Sequence, residues 1–193
     1  MAVSDRLKKF LEERKARYTV AKHPIAYTAQ EIAAAQHVSG RQLAKCVLVL
    51  ADGQPALAVL PAAQLIALPK LKAALKAKRL GIAREADIKQ HFPDLEVGAM
   101  PPFGNLYGVA VIAEEGLTAV GDIVFNAGSH TETIRMAYGD FAKLANPKVA
   151  AFGQPVPGMA PAKKRRATTS GKRKPSTRKS PAHRGRAIAK RRR

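Results

Sequence analysis

No acidic residue follows Asp140 in this chain, and the last 31 residues, 163–193, carry 15 lysines and arginines. Residues 1–162 hold the other 19 basic side chains and all 14 acidic ones, so formal charge divides as about +5 for the body and +15 for the end. The final segment, "PAKKRRATTSGKRKPSTRKSPAHRGRAIAKRRR", has one isoleucine and no leucine, valine or aromatic residue. Such a stretch cannot bury enough apolar surface to offset the roughly 1–2 kcal/mol per residue that ordering a backbone costs. Residues 163–193 are therefore expected to be a disordered basic tail. The preceding "FGQPVPGMAP" is punctuated by proline and glycine, which suits a linker over 153–162. Whatever folds must be built from residues 1–152.

Within that body, Val3, Leu7, Phe10 and Leu11 recur at helical spacing among charged residues and predict an amphipathic helix. "YTVAKHP" predicts a short strand stopped by Pro24. Thr28 and Glu31 have the spacing of a capping box and predict a helix start at "TAQEIAAAQ". "AKCVLVL" and "PALAVL" flank the turn residues "ADGQ" and predict a hairpin. Pro69 opens a helix with Leu71, Ala74 and Leu75 inward and Gly81 beyond its end. "READIKQHF" predicts another short helix. "GVAVIA", "AVGDIVF" and "TETIRM" are three further strands, and a last helix holds Phe141 and Leu144 before Pro147. Irregular alternation of this kind predicts a mixed α/β fold, with a curled mixed sheet rather than a doubly wound parallel one. The N-terminus "MAVSDRLKKFLEERK" is too charged for a secretory signal. No segment approaches the roughly 20 apolar residues that span a bilayer. The single cysteine, Cys46, allows no internal disulfide and no cysteine-based zinc cluster, and a reducing cytoplasmic setting is expected.

Three features carry chemical possibilities. Lys45 shares a strand face with Val47 and Val49, opposite Cys46, Leu48 and Leu50. It is either a lysine whose ammonium snorkels past a sheet edge, or a cation at the mouth of a pocket. His130 lies in "NAGSHTET", a turn where Gly128 allows a sharp bend. It is either an ordinary turn histidine or an imidazole directed into a cleft for hydrogen bonding or proton transfer. The stretch "GAMPPFGNLYG", residues 98–108, combines Gly98, Gly104 and Gly108 with Pro101 and Pro102. It reads as a plain loop, or as a rigid backbone surface that exposes selected N–H groups. No Walker-type phosphate loop, GxGxxG, GxSxG or HExxH pattern occurs. Cys46, inside an apolar strand, has the setting of an inert thiol. No residue cluster calls for a metal or other cofactor, so chemistry here would depend on positioning and electrostatics.

Across residues 5–150 the sequence resembles the YbaK family, single-domain aminoacyl-tRNA deacylases related to the editing domain inserted in bacterial prolyl-tRNA synthetases. The resemblance rests on "HPIAYTAQEIAAA", "GRQLAKCVLVL", "GAMPPFG" and "NAGSHTETIRM" in that order, with Gly98–Pro102 matching the family's GxxxP element. It implies a curled sheet or barrel of about six or seven strands with surrounding helices. It also implies hydrolysis of the ester joining a wrong amino acid to the tRNA 3′-terminal adenosine. On this chain Lys45 would anchor the terminal phosphate or orient the aminoacyl group. The backbone from Gly98 to Pro102 would hold the aminoacyl carbonyl and limit pocket size, and His130 would help select the amino acid. Cys46, Ala99, Met100, Pro101, Phe103, Gly104 and Gly128 would complete the substrate pocket. Water, or the substrate's own hydroxyl or thiol, would attack. Cys46 stands where several proline-tRNA editing branches have asparagine, and Pro101 where many relatives carry serine. These departures leave alanine, cysteine, serine and threonine open as the amino acid removed.

The expected activity is therefore trans-acting deacylation of mischarged tRNA. The tail, through Lys163, Lys164, Arg165, Arg166, Lys172, Arg173 and Lys174, would add non-specific phosphate contacts to tRNA, other RNA or DNA. Two other readings stand beside it: a non-catalytic nucleic-acid-binding protein that uses its polycationic tail, and an interaction module that partners an aminoacyl-tRNA synthetase.

Overall fold

The structure is a computed structural model that describes residues 3–156. The expected tail and its basic residues lie outside the described residues. Helix α1 (Asp5–Glu13) buries Leu7 and Leu11, one helical turn apart, as the apolar spacing requires. Strand β1 (Tyr18–Lys22) follows. Helix α2 (Ala29–Ala35) starts at a true capping box. Thr28 Oγ1 accepts from the Glu31 N–H, and the Glu31 carboxylate accepts from the Thr28 and Tyr27 N–H groups at 3.0 and 3.1 Å. Strands β2 (Ala44–Ala51) and β3 (Gln54–Pro61) form the expected antiparallel hairpin. Asp52 and Gly53 both take positive φ, 52° and 85°, as a two-residue hairpin turn demands.

Beyond the hairpin come β4 (Gln64–Ile66), α3 (Leu68–Leu75), β5 (Leu80–Ile82) and α4 (Glu85–His91). The second half holds β6 (Ala110–Glu114), β7 (Asp122–Asn126), β8 (Glu132–Ala137), α5 (Tyr138–Ala145), β9 (Lys148–Ala150) and β10 (Gly153–Pro155). The mixed α/β class is as expected. Gly81 does not close α3; Lys76 does so in a left-handed conformation, and Gly81 lies inside β5.

The strands make three open sheets: β5-β2-β3-β6-β9 with antiparallel and parallel pairs, the antiparallel β1-β8-β7, and the β10-β4 pair. The expected single curled sheet or barrel of six or seven strands is therefore corrected. Among the described residues no barrel closes. One parallel bridge, Leu43 to Val124, joins the two larger sheets. Pairing stops there because the chain ahead of Leu43 is taken up by the turn in which the Gln42 and Leu43 N–H groups bond to Ser39 O. Four of the strands, β4, β5, β9 and β10, are three residues long, too short to show a period in sequence. Residues 153–155, expected in the linker, are strand β10 because the buried Glu114 carboxylate accepts from the Phe152 and Gly153 N–H groups, both at 2.6 Å.

The β2–β3 hairpin is covered on both faces, which explains its near-continuous apolar runs. Leu48, Leu57 and Val59 join a core with Leu7, Leu11 and four phenylalanines. Val49, Ala58 and Leu60 pack with Leu71 of α3 and with Phe152. Among the described residues no helix is long and apolar enough to cross a membrane.

Candidate active site

A cleft of about 200 Å³ opens where four parts of the chain meet. Tyr27 and Ile32 line it from α2 and its lead-in, Leu43 to Cys46 from the start of β2, Gly98 and Met100 from the loop after α4, and Asn126 from the end of β7. The start of β2 is available there because the β2–β7 contact shrinks to a single bridge.

Lys45 is half-buried in the cleft wall. Its Nζ donates one long bond, 3.4 Å, to the Ala62 carbonyl. Among the described residues no carboxylate comes within ion-pair reach of it. Burial alone lowers its pKa from the ordinary lysine range. An ammonium so placed has donor capacity to spare for an anionic or carbonyl ligand. Cys46, partly exposed, also lines the cleft, and desolvation pushes its thiol well above the ordinary range, which disfavours a thiolate nucleophile.

Gly98 sits at the exposed lip of the opposite wall with φ +89°, a conformation that glycine adopts without strain. The turn beneath it is held by two loops that hydrogen-bond to each other. The Ala99 N–H donates to Glu96 O at 3.0 Å, the Gly128 N–H to Ala99 O at 3.1 Å, and the Glu96 N–H to Gly128 O at 3.0 Å. Gly128, at φ +107°, lets the loops approach closely, since a Cβ there would meet Leu95 Cδ2 at 2.9 Å. Among the described residues the N–H groups of Gly98 and Met100 have no protein acceptor.

His130 stands one layer behind the lip. Its backbone N–H donates to the Glu96 carboxylate at 2.8 Å, and its ring Nε2 lies 2.9 Å from the Val97 carbonyl. A carbonyl only accepts, so Nε2 carries the proton. Nδ1 is buried without a partner. The ring stacks, tilted, on Tyr27 at 4.8 Å and lies under the Gly98 position, where an added Cβ would meet Cε1 at 3.5 Å. His130 thus reaches the cleft through Gly98 and Tyr27. The Nε2–H bond to Val97 ties the ring to the lip and leaves Nδ1 as its unshared basic nitrogen.

Of the residues anticipated from sequence, Lys45, Cys46, Gly98 and Met100 converge on one cleft. Ala99, Pro101 and Pro102 are buried behind the lip. Phe103 and Gly104 are withdrawn into the core. Phe103 is fully buried, with edge contacts to Phe10, Phe125 and Phe141 at 5.7–5.9 Å. Gly104 sits so close to the Val109 carbonyl that a Cβ would come within 2.8 Å. Two cleft residues with polar side chains were not singled out from sequence. Tyr27 is a 72% exposed aromatic one residue before a helix cap, and Asn126 has a buried side-chain Oδ1 without a partner. Both lie inside stretches already quoted, but an alternation pattern alone cannot tell a cleft residue from a surface one. Among the described residues no three histidine, cysteine or acidic side chains gather as a metal site.

No curated protein matches the chain. Among solved structures, the crystal structure of a hypothetical protein superposes with TM-score 0.72 at 16% identity, covering 78% of this chain and all of that one. A candidate trans-editing enzyme for prolyl-tRNA synthetase gives TM-score 0.72 at 18% identity, covering 80% and 98%. A candidate signal transduction protein from Marinobacter aquaeolei VT8 gives 0.58 at 16%, covering 77% of this chain and 30% of its own. At these identities the likeness is one of fold. The aminoacyl-tRNA editing domain matches residues 23–144, well over half of the chain, and the protein belongs to that family.

Proposed function

We propose that the protein is a trans-acting editing hydrolase that cleaves the ester of mischarged tRNA bearing a small amino acid, without a covalent nucleophile. One observation carries this reading: a half-buried Lys45 with no carboxylate partner lines the same small cleft as Gly98 and Met100. Lys45 would hold the terminal phosphate or orient the aminoacyl group. The Gly98 and Met100 N–H groups would stabilise the oxygen that gains charge as the carbonyl becomes tetrahedral. Water, or a side-chain hydroxyl or thiol of the amino acid, adds to that carbonyl carbon. The acyl–oxygen bond then breaks, and the terminal ribose hydroxyl leaves with a proton. The 200 Å³ volume lies below the roughly 300–1,000 Å³ of sites for drug-sized ligands, which favours a small acyl group.

The test is release of amino acid from tRNAs mischarged with alanine, serine, cysteine or threonine. Wild type should hydrolyse at least one of them, and Lys45→Ala should lower kcat/KM by roughly 10²-fold or more. Hydrolysis of none by the wild type would overturn the reading and leave a nucleic-acid-binding protein. Co-purification with a synthetase, again without hydrolysis, would point to an interaction module.

A further inference from the structure

A second cleft, of about 270 Å³, lies at the other end of β1, between the turn after α1 and helix α5. Arg14, Lys15 and Arg17 line it from the turn, and Asp140, Lys143 and Leu144 from the helix. Its one acid is paired: Lys143 Nζ lies 3.5 Å from Asp140. Among the described residues no carboxylate pairs with Arg14, Lys15 or Arg17, although Glu12 and Glu13 precede them on α1 and Glu13 lies 4.0 Å from Lys9. Arg14 is held against the Phe10 ring at 5.3 Å.

The backbone shows how three cations come to share one turn. Lys15 has φ 51°, its N–H donates to Glu12 O, and the Ala16 N–H reaches back to Leu11 O. A helix that reverses this way ordinarily places glycine at the left-handed position. Here a lysine occupies it, against its conformational preference, and its charge joins those of Arg14 and Arg17.

The two clefts are joined by an exposed edge. Arg17 leads directly into β1, the edge strand of its sheet, whose Thr19, Val20, Ala21 and Lys22 are all exposed. The chain leaving β1 delivers Tyr27 to the mouth of the first cleft. Five strand residues span roughly 17 Å, and residues 23–26 lengthen the path before Tyr27.

We infer that the Arg14–Lys15–Arg17–Lys143 cleft binds backbone phosphates of the tRNA acceptor arm, away from the ester held beside Lys45. The inference rests on the deacylase reading of the first cleft. It supplies the folded domain with a phosphate grip separate from the tail.

The experiment uses the full chain and the variant Arg14→Gln/Lys15→Asn/Arg17→Gln; asparagine is chosen because it tolerates the left-handed backbone. Two substrates are compared, a mischarged tRNA and the same amino acid esterified to a CCA trinucleotide too short to reach the second cleft. The variant should bind tRNA roughly tenfold more weakly, with the slope of log affinity against log salt reduced by about 2–3. It should hydrolyse the trinucleotide ester at the wild-type rate, which also shows that it is folded. Unchanged tRNA affinity and salt slope would overturn the inference while leaving the deacylase reading intact. Equal losses toward tRNA and a DNA duplex of the same length would overturn the assignment to the acceptor arm. If the wild type hydrolyses neither substrate, it is the deacylase reading that fails, and this inference with it.

Discussion

At the scale of single residues, the cleft sets stability against chemistry. Lys45 keeps an ammonium half out of water with only one long hydrogen bond. Burial places its folded pKa below the ordinary 10.5, so the unfolded chain holds the proton more tightly. Stability therefore rises with pH between the lowered folded value and 10.5, and below that window the full penalty of a buried charge is present. Lys45→Met keeps the volume and removes the charge. It should abolish deacylation, leave the melting temperature equal or higher at pH 7, and lose that pH-dependent gain. Gly98→Ala tests the opposite wall. The added Cβ has ordinary room beside His130, but φ +89° does not suit it. A loss of about 1 kcal/mol, seen as a fall of about 2–4 °C in the melt, should accompany slower hydrolysis. Cys46 should resist alkylation at pH 8 in the native protein and react once the protein is denatured, because burial withholds its thiolate.

At the scale of elements, the stretch 98–108 does two jobs that composition could not separate. Its first residues form the lip of the cleft, and from Phe103 onward it plugs the core. The placement of Phe103 among three other phenylalanine rings predicts that Phe103→Ala costs about 3–5 kcal/mol, read by denaturant titration. A pocket role would instead change KM at constant stability. The turn holding His130 was legible as a bend, from Gly128 and the small residues around it. Its partnership with residues 96–99 was not, because those backbone bonds join positions about thirty apart in sequence. The same limit hid β4, β9 and β10. Three-residue strands carry no usable period, and they exist because a neighbour or a carboxylate such as Glu114 satisfies their backbone.

At the scale of the whole molecule, charge is the organising quantity. Residues 163–193 hold 15 of the 34 basic side chains and no acid. We expect deletion of residues 160–193 to weaken tRNA binding and flatten its salt dependence, since log affinity falls with log salt by about 0.7 per neutralised phosphate on a single strand. An unchanged salt slope in a filter-binding titration would show that the tail is no tRNA anchor. The deletion leaves β10 and the Glu114 contacts in place, so the melting transition of the folded body should not move.

The order of local elements was legible from one-dimensional information: apolar spacing for α1 and α3, the Thr28–Glu31 box for α2, Asp52–Gly53 for the hairpin. So was the shift in charge between residues 1–162 and residues 163–193. These follow from contacts within a few positions along the chain, or from charge counts. The division into three sheets, the retreat of Phe103 into the core, the commitment of His130 to Val97 and Glu96, and the gathering of Arg14, Lys15 and Arg17 beside α5 all depend on distant segments meeting. Such meetings are set by packing and by which backbone groups find partners, and no window of sequence contains them.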